Sequence, residues 1–342
     1  MTPTYSPNDD DPSTKSAPKS GLLEGRNMPC FEALLLRSRP HDPIRTAIVH
    51  PCDEHSLHGA LQSRAETLIV PVLVGPRPRI EAVAAEAGID LTGIEIEDAP
   101  HSHAAAERAV ELVREGKVEA LMKGALHTDE IMGAVVHSKT GLRTERRMSH
   151  VFVLDVSRYP RPLLVTDAAI NIFPDLETKA DIIRNAIALA QSLGIDVPKV
   201  AILSAVETVT EKIPSTVEAA ALCKMADRGQ IKGGALDGPL AFDNAISPEA
   251  VASKGIVSPV AGQADVLIAP DLEAGNMIAK QLTYLAGAGS AGLVLGARVP
   301  IMLTSRADGV IARVMSAALA QLYVRNRQGA LPGTLAKPIA ED

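Results

Sequence analysis

The segment P-I-M-L-T-S-R-A-D, residues 300–308, couples a strand-like run to a helical one. Residues 301–304 lean apolar and are expected to form a short buried strand. Beyond them Ile311, Val314, Met315, Ala318, Leu319 and Leu322 recur at helical spacing. Ser305 and Arg306 stand between the two patterns. A strand that delivers a hydroxyl and a guanidinium to the start of a helix makes an anion site, because the first helical N–H groups lack intrahelical partners and the helix dipole is positive there. The planar fork of arginine suits phosphate or carboxylate oxygens. The same two residues also fit a helix cap at Ser305 with Arg306 in a surface ion pair. Spacing alone leaves both readings open.

Upstream, strand-like runs at 46–50, 68–74, 94–97 and 120–122 alternate with helical stretches near 53–65, 79–87, 103–114 and 129–137. Such alternation implies βα units and a mainly parallel sheet. From about Met148 the texture shifts to two closely spaced apolar runs, 151–156 and 163–166, which the short linker makes an antiparallel pair. Strands are then expected at 200–203, 234–236, 266–269 and 293–295, with helices near 176–193, 215–226, 248–254 and 276–286. The economical description is α/β with two domains: a first from 29–147 plus 297–338, a second from 148–296, and a disordered tail, 1–28, rich in Pro, Ser and Asp. If the last strand returns to the first sheet, Ser305 and Arg306 lie beside an interdomain crossover, where a ligand cleft is expected.

Composition narrows the partners. A chain of 342 residues is long for one core, and 46% hydrophobic residues supply ample buried material. Only 2% are aromatic and the net charge is −7, which disfavours base stacking and phosphate-backbone binding, so no nucleic acid partner is expected. Cys30, Cys52 and Cys223 are too few and too scattered for a disulfide framework or a C-x-x-C zinc site, which fits a reducing, cytoplasmic setting. No apolar run approaches the roughly 18 residues of a membrane span, and no signal-peptide core opens the chain, so no membrane partner is expected.

Several strand ends carry polar residues that bear on chemistry. His127 and Thr128, in K-G-A-L-H-T, precede a helix, where a capping threonine is the common explanation. The segment K-T-G-L-R-T-E-R-R, 139–147, concentrates positive charge, and its Arg143, Arg146 and Arg147 can hold a polyphosphate or form a solvated loop. Asp167, in T-D-A-A-I-N, ends a strand as a site residue or a turn. Asp271, Glu273 and Asn276, in P-D-L-E-A-G-N, follow another; a helix cap accounts for Asn276 alone better than for all three. The literal G-x-G-x-x-G at Gly287, Gly289 and Gly292 follows a helix and precedes a strand, the reverse of a dinucleotide fingerprint, and is read as a helix end and tight turn. Cys223 sits on an apolar helical face as a core residue, and the nine histidines form no H-x-x-x-H or H-E-x-x-H pair, so no metal site is expected.

Taken in order, G-L-R-T-E-R-R-M-S-H, D-G-P-L-A-F-D-N-A, S-P-V-A-G-Q-A-D-V-L, P-D-L-E-A-G-N and T-S-R-A-D resemble the phosphate acetyltransferase and phosphate butyryltransferase family over roughly 45–325. The likeness is greatest to the transacylase half of fusions that also carry an enoyl-CoA hydratase half, which this sequence lacks. The resemblance implies a two-domain fold of the isocitrate/isopropylmalate dehydrogenase type, an interdomain active cleft and a homodimer. It further implies reversible conversion of acyl-CoA and phosphate to acyl phosphate and CoA, without metal or nicotinamide, CoA being a substrate. It gives Arg306 the phosphoryl group and Ser305 a role at the reacting centre. The family's aspartate base would fall at position 312, which is Ala here; Asp308 is the nearest substitute. His127, Thr128, Arg143, Arg147, Asp167, Asp271, Glu273 and Asn276 complete the candidate substrate-binding set. Two rivals remain: a dehydrogenase on the same fold, which needs metal ligands and a nicotinamide site, and a catalytically silent acyl-CoA sensor, motivated by Ala312.

Overall fold

A computed structural model of the chain describes residues 21–303 and 309–329. The elements are α1 (Pro29–Ser38), β1 (Ile44–Val49), α2 (Glu54–Ala65), β2 (Ile69–Gly75), α3 (Arg77–Glu86), β3 (Glu95–Asp98), α4 (Ser102–Arg114), β4 (Ala120–Lys123), α5 (Thr128–Val136) and β5 (Ser149–Asp155). They continue with β6 (Leu163–Thr166), α6 (Leu176–Ser192), β7 (Lys199–Leu203), α7 (Pro214–Asp227), β8 (Ala235–Leu240), α8 (Phe242–Ile246), α9 (Pro248–Lys254), β9 (Val266–Ile268), α10 (Leu272–Tyr284), β10 (Gly289–Leu295), β11 (Ile301–Met302) and α11 (Val310–Gly329). Every strand expected from apolar patterning is present, most within two residues of the expected ends.

All eleven strands join one sheet in the order β3-β2-β1-β4-β11-β10-β5-β6-β9-β7-β8. Seven of its ten pairings are parallel, and the three antiparallel ones flank β10 and β5 at the centre. The β5–β6 pair is antiparallel, as the short linker demands. β11 returns to the first half and lies parallel to β4, with Met302 opposite Met122.

The two faces of this sheet differ. Because side chains alternate along a strand, each strand sends residues to both. On one face a single core runs the full width, from Ile48 and Met122 through Leu293 and Val151 to Val266 and Ile202, covered by helices that include α11 and α6. On the other face there are two cores. One joins Val49, Leu121, Val294 and Ile301 to α4 and α5; the other joins Leu154, Val165, Leu203 and Leu267 to residues of α8 and α10. They part over β10 and β5, where His150, Phe152, Ser290 and Gly292 share the face.

Three expectations differ from the observed fold, and one element, α8, has no counterpart among them. Leu23, inside the stretch expected to be a tail, is buried in the core within a 3-10 turn, Gly21–Leu23. α10 begins four residues earlier than expected, because Asp271 and not Asn276 is its N-cap: the Asp271 carboxylate accepts the Ala274 N–H at 2.8 Å. The turn explanation covers only Gly287, at φ +64°, since Gly289 and Gly292 lie within β10. α8, five residues long, carried too little periodicity to be expected. Among the described residues no helix is long and apolar enough to cross a membrane.

Candidate active site

β4 ends at Lys123 and the chain turns sharply through Gly124 into α5. The Gly124 N–H donates to Val49 O at 2.9 Å, and a Cβ there would lie 2.5 Å from that same oxygen, so only glycine fits. His127 is the N-cap residue of α5, and its backbone N–H is held by Glu130 Oε2 at 2.6 Å. Ser102 and this amide keep the Glu130 carboxyl below its ordinary value. His127 and Thr128 are exposed at the strand end. Next to β4, the chain reaches Leu303 at the end of β11 and is described again from Gly309, just before α11. Ser305, Arg306 and Asp308 lie outside the described residues. Ala312 occupies the first turn of α11, where its carbonyl accepts the Ser316 hydroxyl at 2.7 Å.

A second group gathers where β6 ends. Asp167 is 3% exposed, and its carboxylate accepts the N–H groups of His150, Ala169, Ile170 and Asn171 at 3.0–3.2 Å and the Asn171 side-chain amide at 2.6 Å. These donors fold residues 167–171 into a turn around the carboxylate. The turn is stitched to α10: Asn276 Nδ2 donates to Ala168 O at 3.0 Å and the Leu272 N–H to Ile172 O at 3.1 Å. Gly275 is required there, since a Cβ would meet Asp167 O at 2.3 Å. Asp271 caps α10, and Glu273 is exposed in its first turn.

The arginine segment adjoins this group. Asn171 Nδ2 reaches Met148 O at 2.8 Å, while the Arg147 backbone is fixed through its N–H to Asp181 Oδ2 and its carbonyl from Asn185 Nδ2, both at 2.9 Å. Arg143 bridges Ala297 through its backbone. Both side chains are exposed. The structure therefore brings Asp167, Asp271, Asn276 and the Arg147 segment together, and places His127 and Thr128 apart from them beside the end of β11. Sheet register links the two groups. Ile301 and His150 both pair with Val294, and His150 donates to Asp167, so the 167–171 turn stands level with β11 three strands away, roughly 14 Å. Ile170, Leu303, Met148 and Met132 pack on one shared core.

Two histidines that sequence spacing did not single out mark this region. His150 is 2% exposed between the two cores, its ring edge-on to Phe152 at 4.4 Å between centroids, and its buried Nδ1 has no hydrogen-bond partner among the described residues. Burial pushes its imidazole down to about 4, against the pull of Asp167. His50 follows β1 with φ at +54°. Burial lowers its imidazole too. A lone histidine at a strand end carries no periodic signal. A surface hollow of about 310 Å³ beside His103, Asp129 and Glu130 adjoins the start of α5, and another of about 480 Å³ lies away from the site beside Leu23 and Arg39.

The family model described as "Phosphate acetyl/butaryl transferase" matches residues 103–321. The chain is 61% identical over 300 residues to a phosphate acetyltransferase of Rhizobium meliloti, covering 88% of this chain and 95% of that one. It is 39% identical over 297 residues to a phosphate butyryltransferase of Clostridium acetobutylicum, covering 87% and 99%. Among solved structures, a branched-chain phosphotransacylase from Enterococcus faecalis V583 superposes with a TM-score of 0.72 at 30% identity, covering 82% of this chain and 99% of that one.

Proposed function

The chain belongs to the phosphate acetyl/butyryl transferase family, and on that premise we propose that it moves a short acyl group, acetyl to butyryl, reversibly between CoA and inorganic phosphate. The observation that carries this reading is the 61% identity to a phosphate acetyltransferase across 88% of the chain. The family match also spans every candidate residue from His127 to Asp308. The enzyme is an acyltransferase; CoA enters as a substrate, and the chemistry below uses neither a metal nor a nicotinamide.

In the direction of CoA acylation, the thiol must lose its proton before it attacks the acyl phosphate carbonyl. A free thiol is only a few per cent thiolate at neutral pH, so a carboxylate base speeds the step. Asp308 takes that role in our reading, because Ala312 offers no acid. Arg306 neutralises the phosphoryl group, Ser305 donates to the oxyanion as it forms, and phosphate leaves with the bond electrons. Transfer is direct within a ternary complex. This fits the thiols: burial raises Cys30 to about 11 and Cys223 to about 12 and also raises Cys52, which leaves each a poor nucleophile.

The substrate path in this proposal runs along the seam between the two cores, from the strand-end corner at His127 and Thr128 to the Asp167 turn, with Asp271, Glu273 and Asn276 behind it and Arg143 and Arg147 at its polar rim. The two cores on one face support the two-domain, isocitrate/isopropylmalate dehydrogenase-like reading with its interdomain cleft, divided near residue 147. A homodimer is supported by the exposed apolar side chains of Ile172, Phe173, Met277, Tyr284 and Leu285 along and beside α10, and we place the protein in the cytoplasm.

The test is CoA release from acetyl-CoA, propionyl-CoA and butyryl-CoA with and without inorganic phosphate, on the intact protein and on Arg306→Ala. Phosphate-dependent release that falls by orders of magnitude in the variant is expected. Binding of acyl-CoA without any release would instead make the protein a silent acyl-CoA sensor.

A further inference from the structure

We propose that His50 is a positioning residue of the substrate site, clamping the two strand-end turns that flank the point where the sheet's strand order reverses. The inference rests on the transferase reading for the identity of the substrates. Its geometry comes from the first half of the sheet. There the chain runs outward from β1 to β2 and β3, then crosses back to β4 on the other side of β1. In open α/β sheets the crevice at such a reversal, outside the carboxyl ends of the strands, is where ligands bind. The reversal lies between β1 and β4, and His50 spans it.

Two hydrogen bonds join His50 to Ala125 of the β4–α5 turn, and Gly124 packs closely on its carbonyl. His50 O accepts the Ala125 N–H at 2.9 Å, and the imidazole Nδ1 lies 3.1 Å from Ala125 O. A carbonyl only accepts, so Nδ1 carries the proton and Nε2 keeps its lone pair. The close approach is also steric, since a Cβ on Gly124 would stand 2.7 Å from His50 O. The other neighbour is β2, whose Val74 O accepts the His50 N–H at 2.7 Å. Ala125 is two residues from His127 and three from Thr128, so the clamp sets where those side chains stand relative to β1 and to the end of β11.

The backbone argues for more than filling space. At φ +54° a residue with a Cβ is disfavoured, glycine is the ordinary occupant, and asparagine, aspartate and histidine are the side-chain residues that adopt it most readily. Only 6% exposed, His50 keeps a strained conformation in return for a donor aimed at the turn. The charged groups facing it are Arg79 from α3, Glu130 from α5 and Asp53, the N-cap of α2. Burial and Arg79 together favour the neutral ring, which the tautomer above requires.

The test uses His50→Gly, which accepts the backbone conformation but has no donor, and His50→Asn, which accepts it and supplies a side-chain N–H. Steady-state constants for acyl-CoA and phosphate are measured beside the thermal midpoint. The glycine variant is expected to raise KM for at least one substrate tenfold or more with kcat within threefold, and asparagine to bring both constants within threefold of the parent. Unchanged KM in the glycine variant, or equal impairment of the two variants, overturns the proposal. If the glycine chain does not fold, His50→Asp replaces it: it has the shape of asparagine without the donor, and must show the same KM loss. If the parent protein releases no CoA in the presence of phosphate, the transferase reading fails by itself. The CoA dissociation constant, measured by calorimetry on the same proteins, then decides the clamp by the same tenfold loss and its recovery.

Discussion

Replacing His150 with leucine should make the fold less sensitive to acid, by an amount that follows from the burial of one imidazole. The ring is 2% exposed and held down to about 4, whereas an unfolded chain titrates near the ordinary histidine value of 6.5. A base whose folded value is depressed gives its full share of stability above the unfolded value. As pH falls from there toward 4, the unfolded chain takes up a proton that the native one refuses, and stability is lost at about 1.4 kcal/mol per pH unit. Between pH 7.5 and pH 5 the loss comes to about 2 kcal/mol. Leucine removes it, along with a buried Nδ1 that has no partner among the described residues, while still filling the space beside Phe152 and Gly292. Other titrating groups are common to both proteins: His50, also depressed, acts in the same direction, and Asp155, raised by burial, acts in the opposite one. Urea unfolding of the two proteins at half-unit steps of pH reads the gap between them, whatever its value at pH 7.5. The gap should move in favour of leucine by about 2 kcal/mol over that range. Stability curves that stay parallel within about 0.5 kcal/mol would refute the attribution of this acid sensitivity to His150.

Other consequences follow from single contacts. A Cβ at 292 would meet His150 Cε1 and Nε2 at 2.8 Å, so Gly292→Val should destabilise by about 1–3 kcal/mol, and His150→Ala in the same chain should recover part of it, a non-additivity read from thermal melts. Asp271→Ala should cost about 1 kcal/mol by removing the α10 cap, and Asp271→Asn should restore stability; an asparagine variant that is stable but inactive would show contact with substrate beyond capping. Burial holds all three thiols above their ordinary values, so native protein at pH 8 should resist alkylation while unfolded protein takes up three equivalents, counted by mass spectrometry.

The strands are legible because their apolar runs are bounded by turn residues: the pattern gives 163–166 and the strand is Leu163–Thr166. Helix starts are less so. The polar cap Asp271 and the acid after it lie outside the apolar periodicity, so the pattern points to a start four residues later than the helix actually begins. The candidate site divides along the same line. Residue types at strand ends drew attention to Asp167, Asp271 and Asn276, and the structure joins all three, yet their bonds run to backbone donors and acceptors that no spacing announces. His50 and His150 were silent in the sequence because what distinguishes them is a left-handed φ and a place between two cores, both products of chain crossings. Ser305, Arg306 and Asp308 rest on the sequence and the family match.

The central claim is that the acyl group goes to phosphate. Incubating the protein with butyryl-CoA and phosphate, and quantifying released CoA beside acyl phosphate by phosphorus NMR, tests it most directly. Direct transfer requires one acyl phosphate for each CoA released and a reversal of the reaction when CoA is added back. Release of CoA with free carboxylate and no acyl phosphate would make the protein a thioesterase and contradict the claim.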